Sequence, residues 1–544
     1  MAFTCRASSA LILLGVLCVS GAELETAPEA DSISAADLRR DVFVLASDEM
    51  GGRLVGTDGN RKAAEFIAGR FKEHGLRAVA VDGSYRQRFD LVIPRIGTDN
   101  ALAVTIENQA DGYALGSDFY PERFSGMGRA AGSVVFVGFG ISAPALAHDD
   151  YGDTDLSGRI VMVLDHEPDE WDANSVFDGR EYTEHARGVR KVLEAQRRGA
   201  AAVLMVADVH NHSTSSSLEN GMSDTWPRQP PRVPRYELGA WVNEVHIPVF
   251  RVSIALAERV LTDGGEPLDT VTRKADAAGG MVPIERPDVV VEVTGAVLRE
   301  RVQENNVIGL VEGSDPALRH EWIILSAHYD HEGTTSRGIF NGADDDASGI
   351  AGLLEISEAY LLAARDGQRP KRSILFAAWN AEERGMLGSW AYAEQPLAPL
   401  NQTVAVINMD MIGRSEEVPE DGGIRFRGLE PQTAESNADA VNLLGYSYSD
   451  DLRRAAEGAN VDTDLQLRFR YDNSGSNLLR RSDHWPFLVS GVPALFVHTG
   501  LHPDYHTPRD RPDTLDYEKM ARIVRLVHQL SWNLAQDPAR PAFN

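Results

Sequence analysis

IILSAHYDHEGTTSRGIFNGADDDASG, residues 323–349, is the stretch on which the reading of the whole chain turns. The apolar run Ile323, Ile324, Leu325 has the composition of a buried strand and ends in His328, Tyr329, Asp330 and His331. A glycine-containing loop then delivers Asp344, Asp345 and Asp346 immediately before a helical pattern. Imidazole and carboxylate groups gathered at the end of a buried strand have the donor chemistry of a metal site. Open α/β sheets also place their sites at the carboxyl ends of strands. Taken alone, these residues would equally suit a solvated loop, so the meaning of the stretch depends on what surrounds it.

Downstream, strands and helices alternate. Strands are expected at 322–327, 373–379, 404–407 and 494–497, with a helix at 348–362 burying Ile350, Leu353, Leu354 and Leu361. A short helix follows the second strand, and an amphipathic helix at 517–534 closes the chain. This predicts an α/β fold with a mixed, mostly parallel central sheet flanked by helices on both faces. Three more strand ends carry metal-type residues: Asn380-Ala381-Glu382-Glu383, Asn408-Met409-Asp410, and the segment 498–506 with its histidines. Ser482-Asp483-His484 precedes the last strand and weighs less. Each has a bland reading by itself, since a glutamate pair is usually a solvated helix start. Four such strand ends in one sheet point to a metal site. Mixed imidazole and carboxylate without thiolate suits zinc, and less often cobalt or manganese. The donors exceed what one open tetrahedral ion needs, so two ions sharing a bridging carboxylate are expected, with a remaining carboxylate as general base.

Upstream, a helix is expected at 35–47 with Ser34 as its cap, then a turn-rich loop, then a second amphipathic helix ending at Gly75. Arg53 in that loop reads as an anchor more than as a substrate contact. Between residues 116 and 284 the character changes to short strands (133–137, 159–164, 202–205, 249–252) around one helix at 185–198. The segment 211–234, rich in Ser, Pro and Asn, reads as a long exposed loop. Asp149, Asp150, Asp153 and Asp155 lack the spacing of a calcium loop and read as a solvated turn. No convincing ligand set is visible in this region. The expected organisation is therefore a leader at 1–22, a first catalytic part at 23–115, an inserted small β-rich α/β domain at 116–284, and the main catalytic part at 285–544.

The chain has 544 residues and a formal net charge of −28 spread along its length, which argues against nucleic acid as a partner. Arg6, the apolar run 10–19 and the small residues Ser20-Gly21-Ala22 have the form of a cleavable secretory signal, implying a secreted or periplasmic protein. Both cysteines, Cys5 and Cys18, lie inside it, and no later stretch is expected to span a membrane. Oligomeric state is not set by the sequence.

The order HYDH, NGADDDASG, NAEERGMLGS, INMDMIG and HPDYHTPRD resembles the di-zinc aminopeptidase family that also includes glutamate carboxypeptidases, and the early GGRLVGTDGNRKAAEFIA resembles that family's N-terminal segment. GFGISAP, DDYGDTDLSGRIVMVL, RRGAAAVLMV and IPVFRVS are similar to a protease-associated domain. The resemblance implies two zinc ions per chain, with Asp345 bridging, His328 and Asp410 completing one site, and Glu383 and His506 the other. It further implies Glu382 as general base, Asp330 as a hydrogen-bond partner of the His328 imidazole, Tyr505 as an oxyanion donor, and a cis peptide between Asp345 and Asp346. Asp344, Asp346 and His331 become supporting residues. The activity implied is removal of N-terminal residues from peptides. A glutamate-releasing carboxypeptidase and a receptor-like relative without metals are the alternatives; glutaminyl cyclase activity fits less well because that class usually lacks the insert.

Overall fold

The computed structural model of the protein describes residues 26–172, 174–177, 179, 182–212, 217–262, 267–276, 279–460 and 463–544. The expected leader at 1–22 lies outside them. The described residues form a mixed α/β protein built on two large sheets.

The larger sheet has ten strands. At its centre Ser373–Trp379, Trp322–His328, Thr403–Met409 and Ala494–His498 run parallel as successive neighbours. Antiparallel pairings flank this centre: Val297–Val311 pairs with Ser373–Trp379, and Ala440–Leu444 with Ala494–His498. The parallel character expected from alternating strands and helices is thus concentrated at the centre, with one further parallel pair, Ala440–Leu444 and Gln466–Arg468, at the edge. Pleating sends successive side chains to opposite faces. Ile323, Leu325 and Ala327 pack with the helices Ala35–Leu45, Gly349–Arg365 and Tyr517–Gln536, while Ile324 faces a second core containing Trp390, Tyr392 and Phe487. Side-chain caps start several of these helices: Ser34 accepts from the Asp37 N–H, Thr57 from Asn60, and Asp516 from Lys519. Among the described residues one stretch, Ala343–Arg365, comprising the helix Gly349–Arg365 and the turn before it, is long and apolar enough to cross a membrane, but 78% of its apolar window is buried in the core.

The second sheet has eight strands and its own core, including Val134, Met162, Leu204 and Phe250. Arg86–Ile96 and Val297–Val311 are antiparallel partners in the large sheet, with Ile96 opposite Val297. Residues 97–296 therefore leave and return at one point, in the position a hairpin turn would occupy. The second sheet takes in Ala101–Ile106, Gln109–Gly112 and Ile284–Gly295, so the inserted unit is wider than the expected 116–284. Its segment Glu237–Leu238 pairs back onto Leu91 and Val92 of the large sheet.

The segment 211–234 is not wholly an exposed loop. It contains the helix Leu218–Thr225, capped by Ser217, and it buries Trp226, whose Nε1–H donates to Pro121 O at 2.7 Å. Polar composition concealed a single aromatic anchor.

Candidate metal centre

The connection from Trp322–His328 leads to a neighbour on one side, and the next crosses over to Thr403–Met409 on the other. The carboxyl end of Trp322–His328 is thus a topological switch point, where a crevice opens. His328 ends that strand; Glu382 and Glu383 follow its neighbour Ser373–Trp379; Asp410 follows Thr403–Met409. His506 arrives on the loop after Ala494–His498.

Asp345 lies in the turn preceding the helix Gly349–Arg365, and its peptide bond to Asp346 is cis. Gly342 makes this turn possible: its φ is 58°, and an added Cβ would lie 2.1 Å from Asp345 O and 2.6 Å from the His331 ring. Arg53 is fully buried beneath, donating to the carbonyls of Leu45, Tyr329, Asn341, Gly342 and Asp345, which makes it an anchor of the site's backbone. Asp510 accepts the N–H groups of Asp344 and Asp345 at 2.9 and 3.1 Å.

The Asp345 carboxylate divides its oxygens between two donor groups. Oδ1 lies 3.3 Å from His328 Nε2, which is 3.6 Å from Asp410 Oδ1. Oδ2 lies 3.0 Å from His506 Nε2, which is 3.3 Å from Glu383 Oε2. Glu382 belongs to neither group and places Oε2 3.9 Å from His328 Nε2. His331 Nδ1 sits 2.7 Å from Glu383 Oε1 and 3.7 Å from Asp345 Oδ2, closer to the centre than a residue merely near it in sequence.

Asp346 and Asp344 face the backbone. Asp346 accepts the N–H of His328, Gly349 and Met411. Asp344 accepts that of Gly413 at 2.7 Å. Asp330 differs from expectation. Its carboxylate stands 3.7 Å from His328 Nδ1 and instead accepts the N–H groups of Glu382 and Glu383 at 2.9 and 3.3 Å. The nearest hydrogen-bond partner of the His328 ring is the Asp330 carbonyl, 3.3 Å away. The reason is geometric: the adjacent strand end presents two free N–H groups, which a carboxylate two residues after His328 reaches more directly than the ring. Tyr505 packs against His506 with its ring tilted by 32° and ring centroids 3.9 Å apart, and lines the same pocket as Asp345, Glu382 and Asp410.

The electrostatics demand positive charge. Burial works against an imidazolium at His506, but Glu383 and Asp345 outweigh it and push the group up to about 11. Burial would raise Glu383, yet His506 and His331 hold it well below the usual carboxylate range. Glu382 is pushed well above that range by burial, with Asp483, Glu383 and Asp410 adding to the rise against His328. His328 Nε2, His331 Nδ1 and Glu383 Oε1 are buried with no hydrogen-bond partner. Orphaned nitrogen and oxygen donors around clustered carboxylates fit divalent cations, with His328, Asp345, Asp410, Glu383 and His506 as the residues able to hold them.

Ser482-Asp483-His484 carried little weight in the sequence, and Asn408 entered only as part of the segment ending in Asp410. Yet Ser482 Oγ donates to Asp410 Oδ2 at 2.6 Å, and Asn408 Nδ2 donates to Ser482 Oγ at 2.8 Å. The one available signal was the position of Ser482 in a motif beside a histidine.

Residues 306–531 match the family model described as peptidase family M28. A "Probable glutamate carboxypeptidase" of Arabidopsis thaliana is 26% identical over 408 residues, covering 72% of this chain and 51% of that protein. A "Probable zinc metalloprotease" of Pyrenophora tritici-repentis is 30% identical over 266 residues, covering 44% of this chain and 53% of that protein. The chain thus spans about half the length of these curated relatives. Among solved structures, an aminopeptidase from Aneurinibacillus sp. strain AM-1 aligns over 95% of this chain and 97% of its own, with 18% identity and a TM-score of 0.44. The part of the chain that carries His328, Asp345, Glu383, Asp410 and His506 is thus the part, residues 306–531, that matches peptidase family M28.

Proposed function

We propose that the chain is a secreted zinc exopeptidase that removes N-terminal residues from peptides, holding two zinc ions and using Glu382 as general base. The observation that supports this reading most is the division of the Asp345 carboxylate, with Oδ1 beside His328 and Oδ2 beside His506. Bound there, zinc supplies Lewis-acid polarisation of a carbonyl and lowers the pKa of water. Glu382 accepts the proton of the attacking water and returns it to the leaving amine. A carboxyl group whose burial raises its proton affinity suits that shuttle. Asp330 fixes the backbone of Glu382 and Glu383 and so their directions. Burial also pushes the Tyr505 hydroxyl well above its ordinary range, keeping it a neutral donor for a developing oxyanion. The inserted unit, read as a protease-associated domain, brings Arg232 within 3.2 Å of Glu332 at the rim of the centre.

The test is hydrolysis of aminoacyl-anilides and short peptides by purified protein, with activity lost to a chelator and regained with zinc. No hydrolysis by the zinc-loaded protein would contradict it. One observation favours a second reading, release of an acidic C-terminal residue: Arg481 lines the pocket beside Leu478 and could pair with a carboxylate. Peptides blocked at one end or the other distinguish the two.

A further inference from the structure

Far from the peptidase centre in sequence, the inserted unit contains a second convergence of donors. His166 lies just after the strand Ile160–Leu164 and adopts a φ of 59°. Glu170 follows one turn later, and His212 comes from the loop after Ala202–Val206, the neighbouring parallel strand. One ligand atom from each residue lies within 4.8 Å of the others. His166 Nδ1 is 3.1 Å from Glu170 Oε2, and His212 Nε2 contacts Glu170 Oε1.

The contacts do not make a satisfied hydrogen-bonded cluster. The Glu170 side chain is fully buried, and its Oε1, together with His166 Nδ1 and His212 Nε2, has no hydrogen-bond partner. Three orphaned lone-pair atoms pointing at one another at such distances are the arrangement a shared cation resolves. The surroundings hold the donors in place. Tyr182 stacks on His166 at 5.1 Å and donates its hydroxyl to Glu170 Oε2 at 2.9 Å. The backbone N–H of His212 donates to Asp208 O at 3.0 Å, and Asp208 Oδ2 accepts from Asn211 at 2.7 Å. His166 and His212 line a cavity of about 560 Å³, which gives an ion a path in and leaves room for a further ligand.

We infer that His166, Glu170 and His212 form a further metal site, separate from the peptidase centre, that binds a divalent zinc-type ion and ties the loops after two parallel strands together. Two neutral imidazoles and one carboxylate suit zinc, and an open fourth position is compatible with tetrahedral coordination. The inference is independent of the exopeptidase reading, because it concerns metal content rather than turnover.

The experiment is zinc content per chain, measured on dialysed, folded full-length protein. His166→Ala/His212→Ala is expected to bind one equivalent less than wild type and to keep its peptidase activity. Conversely, Asp345→Asn/His506→Ala is expected to lose metal from the peptidase centre while retaining the equivalent in the insert. Equal zinc content in wild type and the insert double variant would overturn the inference. If that variant does not fold, crystals of zinc-saturated wild type decide the matter by anomalous scattering at the zinc edge. A peak between the three side chains is expected, and its absence would overturn the site.

Discussion

Ser482 Oγ donates to Asp410 Oδ2 at 2.6 Å and so leaves Asp410 Oδ1 turned toward His328 Nε2, 3.6 Å away. Behind Ser482 the chain of donors continues through Asn408 to Ser326, every member buried. Removing such a partner of a metal-binding carboxylate typically costs about 10–100-fold in metal affinity. Ser482→Ala is therefore expected to weaken zinc binding by about that factor with little change in melting temperature, as measured by chelator competition. Unchanged affinity would show that Asp410 needs no orienting partner.

Arg53 should behave differently because its guanidinium holds five carbonyls from three separate stretches of the chain: the end of the helix Ala35–Leu45, Tyr329, and the turn 341–345. Arg53→Ala leaves those acceptors buried without a donor, and a destabilisation of about 3–5 kcal/mol is expected, comparable to breaking a buried ion pair. Denaturant unfolding measures it. Zinc content should fall with stability, since the same guanidinium positions the turn that carries Asp345.

Glu355 gives a pH prediction remote from the metal ligands. Burial pushes its carboxyl up to about 8, with Asp37, Asp41 and Glu358 adding to the rise against the Ser34 N–H. Above the ordinary carboxyl range the unfolded chain has released this proton while the folded chain still holds it. Stability therefore falls as pH rises from there to about 8. Glu355→Gln removes the effect. The variant should match wild type at pH ~4, where both states hold the proton, and exceed it near pH 8 by on the order of 1–3 kcal/mol. Melting temperatures across that range test the sign.

Leu478 and Arg481 face the pocket that Asp345 and Glu382 line. Substituting Arg481→Met is expected to change which peptides are cleaved while leaving zinc content intact. Loss of zinc instead would make the segment a support of the metal centre rather than a wall of the pocket.

Much of the candidate metal centre was legible in the sequence because His328, Glu383 and Asp410 sit at or shortly after the ends of apolar strands, and strand ends converge in a parallel sheet. His328, Glu383 and Asp410 lie far apart along the chain, yet one sheet geometry joins them. Positions set by side-chain contact were less legible. Asp330 could be placed near His328 by its spacing, but not aimed, because the competing N–H groups of Glu382 and Glu383 belong to another strand end. The edges of the insert escaped because Ala101–Ile106 and Ile284–Gly295 read as ordinary strands, and only their pairing assigns them to the second sheet. His166, Glu170 and His212 carried no signal at all. Two parallel strands bring them together, and their spacing in the chain follows the intervening helix rather than any ligand motif.

The most direct measurement of the central claim is zinc content and turnover of Glu382→Gln, assayed side by side with wild type. Glu382 lies beside the two donor groups without belonging to either, so the variant should keep the full wild-type zinc content while kcat falls by about 10²–10⁴-fold. Turnover within a few-fold of wild type, or a loss of zinc, would contradict the assignment of Glu382 as the general base of a two-zinc peptidase.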